Sequence, residues 1–136
     1  MTTSNLKIKP FIIGEDYPEL CEWWREYGWK APSTRKLSTI GVVAYDDSRK
    51  LAAGWIYLQN SAWGFVDYFV GNPLAPKRAK YEGLKAVIEH LSGIAKQENL
   101  EDLVTFTKEK GLIRLLQRMG FTVGDEQLSS LLRRVQ

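Results

Sequence analysis

Apolar residues in the first part of the chain follow a strand-like pattern and then a helix-like one. Residues 7–13 (KIKPFII) form a short apolar run that predicts a first strand, and Pro10 favours a sheet edge or a bulge for it. A helix is predicted next, beginning in the acidic segment 14–20 and ending at Gly28. Its aromatic face is spaced by three, one and three residues: Leu20, Trp23, Trp24 and Tyr27.

Three apolar runs in the middle of the chain predict consecutive β-strands over residues 39–45, 51–58 and 63–70. Aromatic and β-branched residues, which favour strands, are frequent in these runs. The first two runs are separated by a polar segment that contains Asp46 and Asp47, residues typical of tight turns. The pattern therefore predicts an antiparallel meander of three strands.

The apolar period changes from two to 3.6 residues after the segment 71–73 (GNP), which predicts a long helix from about Lys80 to Glu98. A short buried strand over residues 103–106 follows, and then a helix that Thr107 can cap. Two further extended segments, residues 121–123 and 128–135, are predicted to close the sheet.

The predicted order of elements is β-α-β-β-β-α-β-α-β-β, which indicates a mixed α/β fold with a central mixed sheet flanked by helices. Residues 63–106 form a strand–helix–strand crossover, the connection that produces a parallel pair of strands. We find no internal repeat, low-complexity segment or linker, so a single domain over residues 1–136 is expected.

The composition excludes several classes of protein. Nineteen Lys and Arg stand against sixteen Asp and Glu, and no run of like charges marks a nucleic-acid-binding tail. Cys21 is the only cysteine and His90 the only histidine, so an internal disulfide and the Cys-rich or His-pair metal sites are excluded, and no metal is expected. No window is apolar enough for a signal peptide or a membrane span, and we expect a cytoplasmic protein without a membrane partner.

A basic cluster made of Lys77, Arg78 and Lys80 lies where the long helix begins, with no acid between Asp67 and Glu82. The first N–H groups of a helix have no partner within it, and the helix dipole adds a partial positive charge there. Because cations are unfavourable at that end, their clustering indicates a bound phosphate. The alternative interpretation is a solvated turn.

The same segment and the order of elements together resemble the GNAT superfamily of acyl-CoA-dependent N-acyltransferases. The family's cofactor loop has Arg or Gln, two residues, Gly, one residue, then Gly or Ala, before the central helix. Residues 78–83 (RAKYEG) match its first and last positions. Residues 112–121 (LIRLLQRMGF) also look like the family's penultimate helix with its Gly-Phe exit. The resemblance implies an N-acetyltransferase that uses acetyl-CoA or another acyl-CoA.

The resemblance also implies where this cofactor would bind. The N–H groups of residues 78–83 would receive the pyrophosphate, and the backbone of the strand end would pair with the pantetheine arm. The thioester would lie in a gap between strands, beside residues 105–107. The cofactor contacts implied in this way belong to Phe69, Val70, Arg78, Ala79, Lys80, Tyr81, Gly83, Leu84 and Thr107.

Two positions depart from the family pattern. Tyr81 stands where the loop has its first glycine, and a side chain there changes how closely the backbone can approach phosphate. Leu116 stands where family members often carry a tyrosine that protonates the leaving thiolate. These departures keep an alternative open, a catalytically reduced GNAT-fold binding module that acts through a protein partner.

Asp67 is the candidate catalytic residue because it interrupts the apolar strand WGFVDYFV. Strand alternation predicts that it shares a face with Phe65 and Phe69, opposite Val66 and Tyr68. An acid among aromatic side chains has a raised pKa, which suits a general base working near neutrality. The alternative is a solvent-facing position on a partly covered sheet.

Trp29 is the candidate residue on the acceptor side, since four aromatic residues over positions 23–29 are too many for one small core face. The acceptor would be an amine of a small molecule or a protein, and a homodimer stays open as an assembly. A third class, a small nucleic-acid-binding protein, is allowed by a pI near 9.0. Its charges near the C-terminal end alternate with core positions, which favours a solvated face and makes a nucleic-acid partner the weaker interpretation.

Overall fold

The chain is described over residues 5–136 by a computed structural model, and these residues form five strands and three helices. The elements are β1 (Lys7–Pro10), α1 (Ile13–Glu26), β2 (Ile40–Tyr45), β3 (Lys50–Leu58), β4 (Trp63–Gly71), α2 (Lys77–Gln97), β5 (Asp102–Val104) and α3 (Lys110–Arg118). Each of these elements was predicted from the sequence. The main shift is in α2, which begins at Lys77 rather than near Lys80.

The strands form one sheet in the order β1-β2-β3-β4-β5. The pairs among β1, β2, β3 and β4 are antiparallel, which confirms the predicted meander. Strand β5 pairs with β4 in parallel, through the crossover that contains α2. The mixed sheet and the crossover are therefore both confirmed.

The two faces of the sheet are covered by different helices. On one face, α1 contributes Leu20, Trp23 and Trp24 to a buried cluster with Trp55 of β3. On the other face, α2 packs on the sheet with a second cluster: Val42, Ala44, Ala52, Ile56, Val66, Val87, Leu91 and Ala95. The alternation of strand side chains between the two faces accounts for this division.

A fully buried carboxylate joins α1 to two strands. Asp16 of α1 forms ion pairs with Lys9 of β1 and with Lys50 of β3, whose Nζ lies 3.0 Å from Asp16 Oδ1. The Ile12 N–H donates a hydrogen bond of 2.8 Å to Asp16 Oδ2. Burial acts to raise the pKa of Asp16, but the hydrogen bonds from Lys9, Ile12 and Lys50 outweigh it, so the pKa lies below its ordinary value.

The predicted closing strands, residues 121–123 and 128–135, are not strands in the structure, and this part of the prediction is wrong. Residues 128–135 carry their apolar side chains at spacings of three, one and three rather than in alternation, so neither strand face would be apolar. These side chains are exposed, with Leu131 at 92% and Leu132 at 90%.

The chain divides after Phe106 into two compact units, and the second, Thr107–Gln136, contains α3. The first unit holds the sheet with α1 and α2, and the candidate site described below is built within it. Over residues 5–136, no helix combines the length and the apolar character needed to cross a membrane.

Candidate active site

Strands β4 and β5 pair over only three residues and then separate. The last pair is Phe65 with Val104, whereas β4 continues to Gly71. Within residues 5–136, the edge of β4 that faces β5 therefore has no strand partner beyond Phe65. We call this opening, between β4 after Phe65 and β5 after Val104, the fork.

A β-bulge lies on β4 at the fork. Trp55 pairs with Asp67 and Ala53 pairs with Val70, so Gly54 alone stands opposite two residues of β4, Tyr68 and Phe69. Tyr68 has a φ of +59°, which is uncommon for a residue with a side chain. Gly54 is required here, because a Cβ on it would lie 2.7 Å from Cδ1 of Phe69.

The bulge changes which side chains share a face, and it corrects the prediction made from simple alternation. Asp67 lies on the α1 face together with Trp55, its cross-strand partner. Tyr68, predicted on the opposite face, packs with the α1-side cluster, and Phe69 packs with the α2-side cluster instead. Phe65 is the aromatic neighbour of Asp67 that alternation placed correctly, since its partner Tyr57 packs on the α1 side.

The Asp67 carboxyl group is partly buried at the fork. Burial raises its pKa above the ordinary value of 3.8, and an interaction with the Tyr68 backbone acts in the opposite direction. Burial also raises the pKa of Tyr57 to about 12, and the negative charge of Asp67 adds to this effect. The pKa of Tyr68 is raised for the same two reasons. Both phenols are therefore protonated and neutral near pH 7.

Four aromatic rings follow one another from Tyr68, the chain neighbour of Asp67, and we call them the aromatic row: Tyr68, Tyr57, Phe65 and Phe106. Neighbouring ring centroids in the row are 6.4, 5.8 and 5.7 Å apart. The Tyr57 hydroxyl donates a hydrogen bond of 3.0 Å to the carbonyl oxygen of Lys36, which fixes the ring against the loop before β2. Phe106 is 59% exposed, so the row ends at the protein surface.

Helix α2 begins with a basic, uncapped turn. No side chain caps it, and its first turn contains no acid. The first intrahelical donor is the Lys80 N–H, which bonds to the Pro76 carbonyl oxygen at 3.0 Å. The N–H groups of Lys77, Arg78 and Ala79 therefore have no acceptor within the helix. Residues 77 and 78 are exposed, so this donor set can receive an anion.

Three of the predicted cofactor residues lie deeper in α2. Gly83 faces the sheet, where a Cβ on it would lie 2.8 Å from Cβ of Leu51, so this glycine permits close packing of helix on strand. Leu84 packs against the α2-side cluster. Tyr81 is partly buried and follows the N–H groups that have no acceptor within the helix.

Lys80 and the predicted acceptor residue Trp29 both contact Tyr27. Lys80 Nζ donates to the Tyr27 hydroxyl at 3.3 Å, and that hydroxyl donates to the Gly71 carbonyl oxygen at 2.9 Å. Trp29 stacks on the Tyr27 ring with centroids 4.5 Å apart, and it is 39% exposed. This contact places Trp29 beside the end of β4 and the first turn of α2.

Of the other predicted site residues, Phe69 and Val70 lie on β4 beyond the fork, with Val70 buried on the α1 side. Thr107 lies in the second unit, where its hydroxyl accepts a hydrogen bond of 3.0 Å from the Glu109 N–H. The aromatic row was not predicted from the sequence. Tyr57 is directly opposite Phe65 in the meander, so cross-strand pairing was the signal that could have indicated it.

Comparisons with known proteins connect this arrangement to one fold. No protein-family model matches the chain, and no curated protein matches its sequence. Solved structures do match it. An acetyltransferase from Trypanosoma brucei matches with a TM-score of 0.70 and 16% identity, over 94% of this chain and 100% of that chain. A GNAT-family acetyltransferase from Streptococcus pneumoniae matches with a TM-score of 0.68 and 12% identity, over 96% of this chain and 98% of that chain.

Glucosamine-6-phosphate N-acetyltransferase from Arabidopsis thaliana is also similar in structure, with a TM-score of 0.69 and 12% identity. The match covers 96% of this chain and 100% of that chain. At this level of identity the likeness concerns the fold. The chain has the GNAT fold, as the element order and the residues at the start of α2 had indicated.

Proposed function

We propose that this protein is an acyl-CoA-dependent N-acyltransferase that transfers an acetyl or another acyl group to a primary amine of a small molecule or a protein. One observation carries the proposal. A partly buried carboxyl group, Asp67, lies at the fork between β4 and β5 with a raised pKa. A base of this kind is what N-acyl transfer needs, because the amine must lose a proton before it can react.

The residues around the fork fit acetyl-CoA. The unpaired N–H groups of Lys77, Arg78 and Ala79, with two exposed basic side chains, would hold the phosphates. The free edge of β4 beyond Phe65 offers backbone donors and acceptors to the amide-containing arm of the cofactor. When bound, acetyl-CoA supplies an acyl group that is activated as a thioester.

Asp67 would act on the acceptor. In the overall reaction a primary ammonium loses two protons, the amide N–C bond forms, and the C–S bond of the thioester breaks. One proton goes to the Asp67 carboxylate and then to solvent, and the other ends on the sulfur, which keeps the electron pair of the broken bond. A raised pKa favours this role, because it reduces the difference between the pKa of the Asp67 carboxyl group and the much higher pKa of the substrate ammonium.

Calorimetric titration with acetyl-CoA tests the cofactor site. We expect binding, and we expect Arg78→Glu to weaken it at least about tenfold, since a negative charge replaces a positive one at an anion site. Lys85→Glu is the matched control, because it makes the same charge change at an exposed position of α2 farther from its start. Gly83 is unsuitable as a probe, because any side chain there would collide with β3.

Release of free CoA thiol in the presence of amines tests the reaction itself. We expect amine-dependent release that Asp67→Asn abolishes while acetyl-CoA binding is kept. Absence of heat and of thermal protection by acetyl-CoA would contradict the proposal. Binding of acetyl-CoA without thiol release for any amine would favour the alternative, a GNAT-fold binding module that does not turn over.

A further inference from the structure

The side chains around Asp67 also restrict the acceptor, an inference that rests on the proposed function. Asp67 lies on the α1 face of the sheet, close enough to the Tyr57 and Tyr68 rings of the aromatic row for its charge to act on both hydroxyls. The fully buried Trp55 is directly across the strand from it. The neighbours of Asp67 on this face of the sheet therefore include three rings, those of Trp55, Tyr57 and Tyr68.

The Asp67 carboxylate has no cationic partner of its own. Over residues 5–136, no Lys or Arg nitrogen lies within 4.0 Å of it. A partly buried carboxylate without a counter-charge is costly, and a cation that reaches it from solvent would remove that cost. The faces of neighbouring aromatic rings also attract cations, so the charge and the rings select the same kind of ligand.

The aromatic row carries two polar groups, the hydroxyls of Tyr57 and Tyr68. The Tyr57 hydroxyl already donates its proton to the Lys36 carbonyl oxygen. The outer end of the aromatic row is apolar, since Phe106 is 59% exposed there. A ligand rich in hydroxyl groups would place those hydroxyls against the rings without hydrogen-bond partners. A carboxylate or phosphate group next to the amine of a ligand would be repelled by the negative charge of Asp67.

We propose that the acceptor is a primary alkylammonium ion with an apolar, aromatic body, bound with its nitrogen at Asp67 and its body along the aromatic row. The Phe106 ring would contact the end of that body. An amino sugar, an amino acid or an amine of comparable polarity would bind less tightly.

Three amines of graded chemistry test this assignment by calorimetry and by thiol release. 2-Phenylethylamine has the proposed structure, ethanolamine keeps the charge without the ring, and phenylalanine keeps the ring but adds a carboxylate. We expect 2-phenylethylamine to bind at least about tenfold more tightly than the other two. Equal affinity for all three amines, or preference for ethanolamine or phenylalanine, would overturn the assignment.

Variants then locate the binding. We expect Asp67→Asn to weaken the binding of 2-phenylethylamine roughly ten- to hundredfold, since a charged hydrogen bond is lost. Phe106→Ala should weaken it about fivefold and Phe106→Leu by less, because leucine keeps apolar contact but not the ring. Asp125→Asn is the control for charge, since Asp125 is exposed in the second unit, and it should leave affinity unchanged. Affinity unaffected by Asp67→Asn would overturn the assignment.

The two proposals fail in different ways. Thiol release with ethanolamine or phenylalanine but not with 2-phenylethylamine would keep the transferase and overturn the aromatic acceptor. Binding of 2-phenylethylamine that depends on Asp67, without thiol release for any amine, would support the amine site and contradict the transferase.

Discussion

Asp16 and Asp67 are two aspartates of the same sheet-and-helix unit, and they differ in what surrounds their charge. Asp16 is fully buried, yet it has Lys9, Lys50 and the Ile12 N–H as partners, and its pKa is lowered. Asp67 is less buried, has no cationic partner within residues 5–136, and its pKa is raised.

The difference shows how the partners of a buried acid affect its role. A buried carboxylate whose oxygens are satisfied is held in its charged form and joins structural elements together. A partly buried carboxylate without a counter-charge destabilises the folded state, and groups of this kind are frequent at functional sites. We therefore expect Asp16 to contribute to stability and Asp67 to act on a ligand.

Asp67→Asn should produce the largest effect on activity and almost none on folding. We expect kcat/KM for amine acylation to fall at least about a hundredfold, as is typical when a general base is removed. The free energy of unfolding at pH 7 should stay the same or rise by up to about 1 kcal/mol, because the penalty for the charged form disappears. Steady-state kinetics and urea denaturation measure the two quantities.

Asp16→Asn should produce the reverse pattern. It leaves Lys9 without a counter-charge and Lys50 with only the partly exposed Glu19, and we expect a loss of about 3 kcal/mol of unfolding free energy, measured by urea denaturation. Acetyl-CoA binding by the folded protein should be unchanged. A variant that stays as stable as the wild type, or that loses activity as Asp67→Asn does, would remove the distinction between the two acids.

Lowering the pH should change the contributions of the two aspartates to folding stability in opposite directions. The folded-state pKa of Asp16 lies below 3.8, so its stabilisation is present above pH 3.8 and is lost as the pH falls through the lowered value. The folded-state pKa of Asp67 lies above 3.8, so its penalty is absent below pH 3.8 and develops as the pH rises.

Urea denaturation between pH 3 and pH 7 checks this expectation. The deficit of Asp16→Asn and any advantage of Asp67→Asn should both shrink as the pH falls. A deficit of Asp16→Asn that stays constant over the whole range would mean that its charge is not what stabilises the fold.

The outer partner of the Asp16 network should contribute least. Glu19 Oε1 lies 3.3 Å from Lys50 Nζ, but the Glu19 side chain is 39% exposed. We expect Glu19→Gln to cost no more than about 0.5 kcal/mol, and Asp47→Asn, at a more exposed pair with Lys7, to cost no more than that. A larger loss of unfolding free energy, measured by thermal denaturation, would mean that the exposed ion pairs also contribute to the stability of the fold.

Much of the fold follows from local patterns in the sequence. The meander could be predicted because β2, β3 and β4 are apolar runs separated by polar turns, and α2 because its apolar face repeats with the helical period. The closing segment 128–135 was predicted as a strand against its own local pattern, because its apolar side chains are spaced by three, one and three residues and do not alternate.

The candidate site was predictable only in part, and the bulge explains why. Asp67 is visible in the sequence as a charge within an apolar strand, but period-two alternation fails at Tyr68, whose positive φ turns the following residues over. No composition cue marks this change, since tyrosine rarely adopts that conformation. Whether Gly83 serves close packing or a ligand was open in the sequence, because the answer depends on how closely α2 approaches β3.

The most direct test is a ¹³C NMR titration of the aspartate carboxyl carbons, with Asp16→Asn and Asp67→Asn spectra used for assignment. We predict that Asp67 titrates above 3.8 and Asp16 below it, and that 2-phenylethylamine lowers the pKa of Asp67 alone. A pKa of Asp67 at or below that of Asp16, with no response to the amine, would contradict the claim that Asp67 is the unpaired acid of an acyl-transfer site.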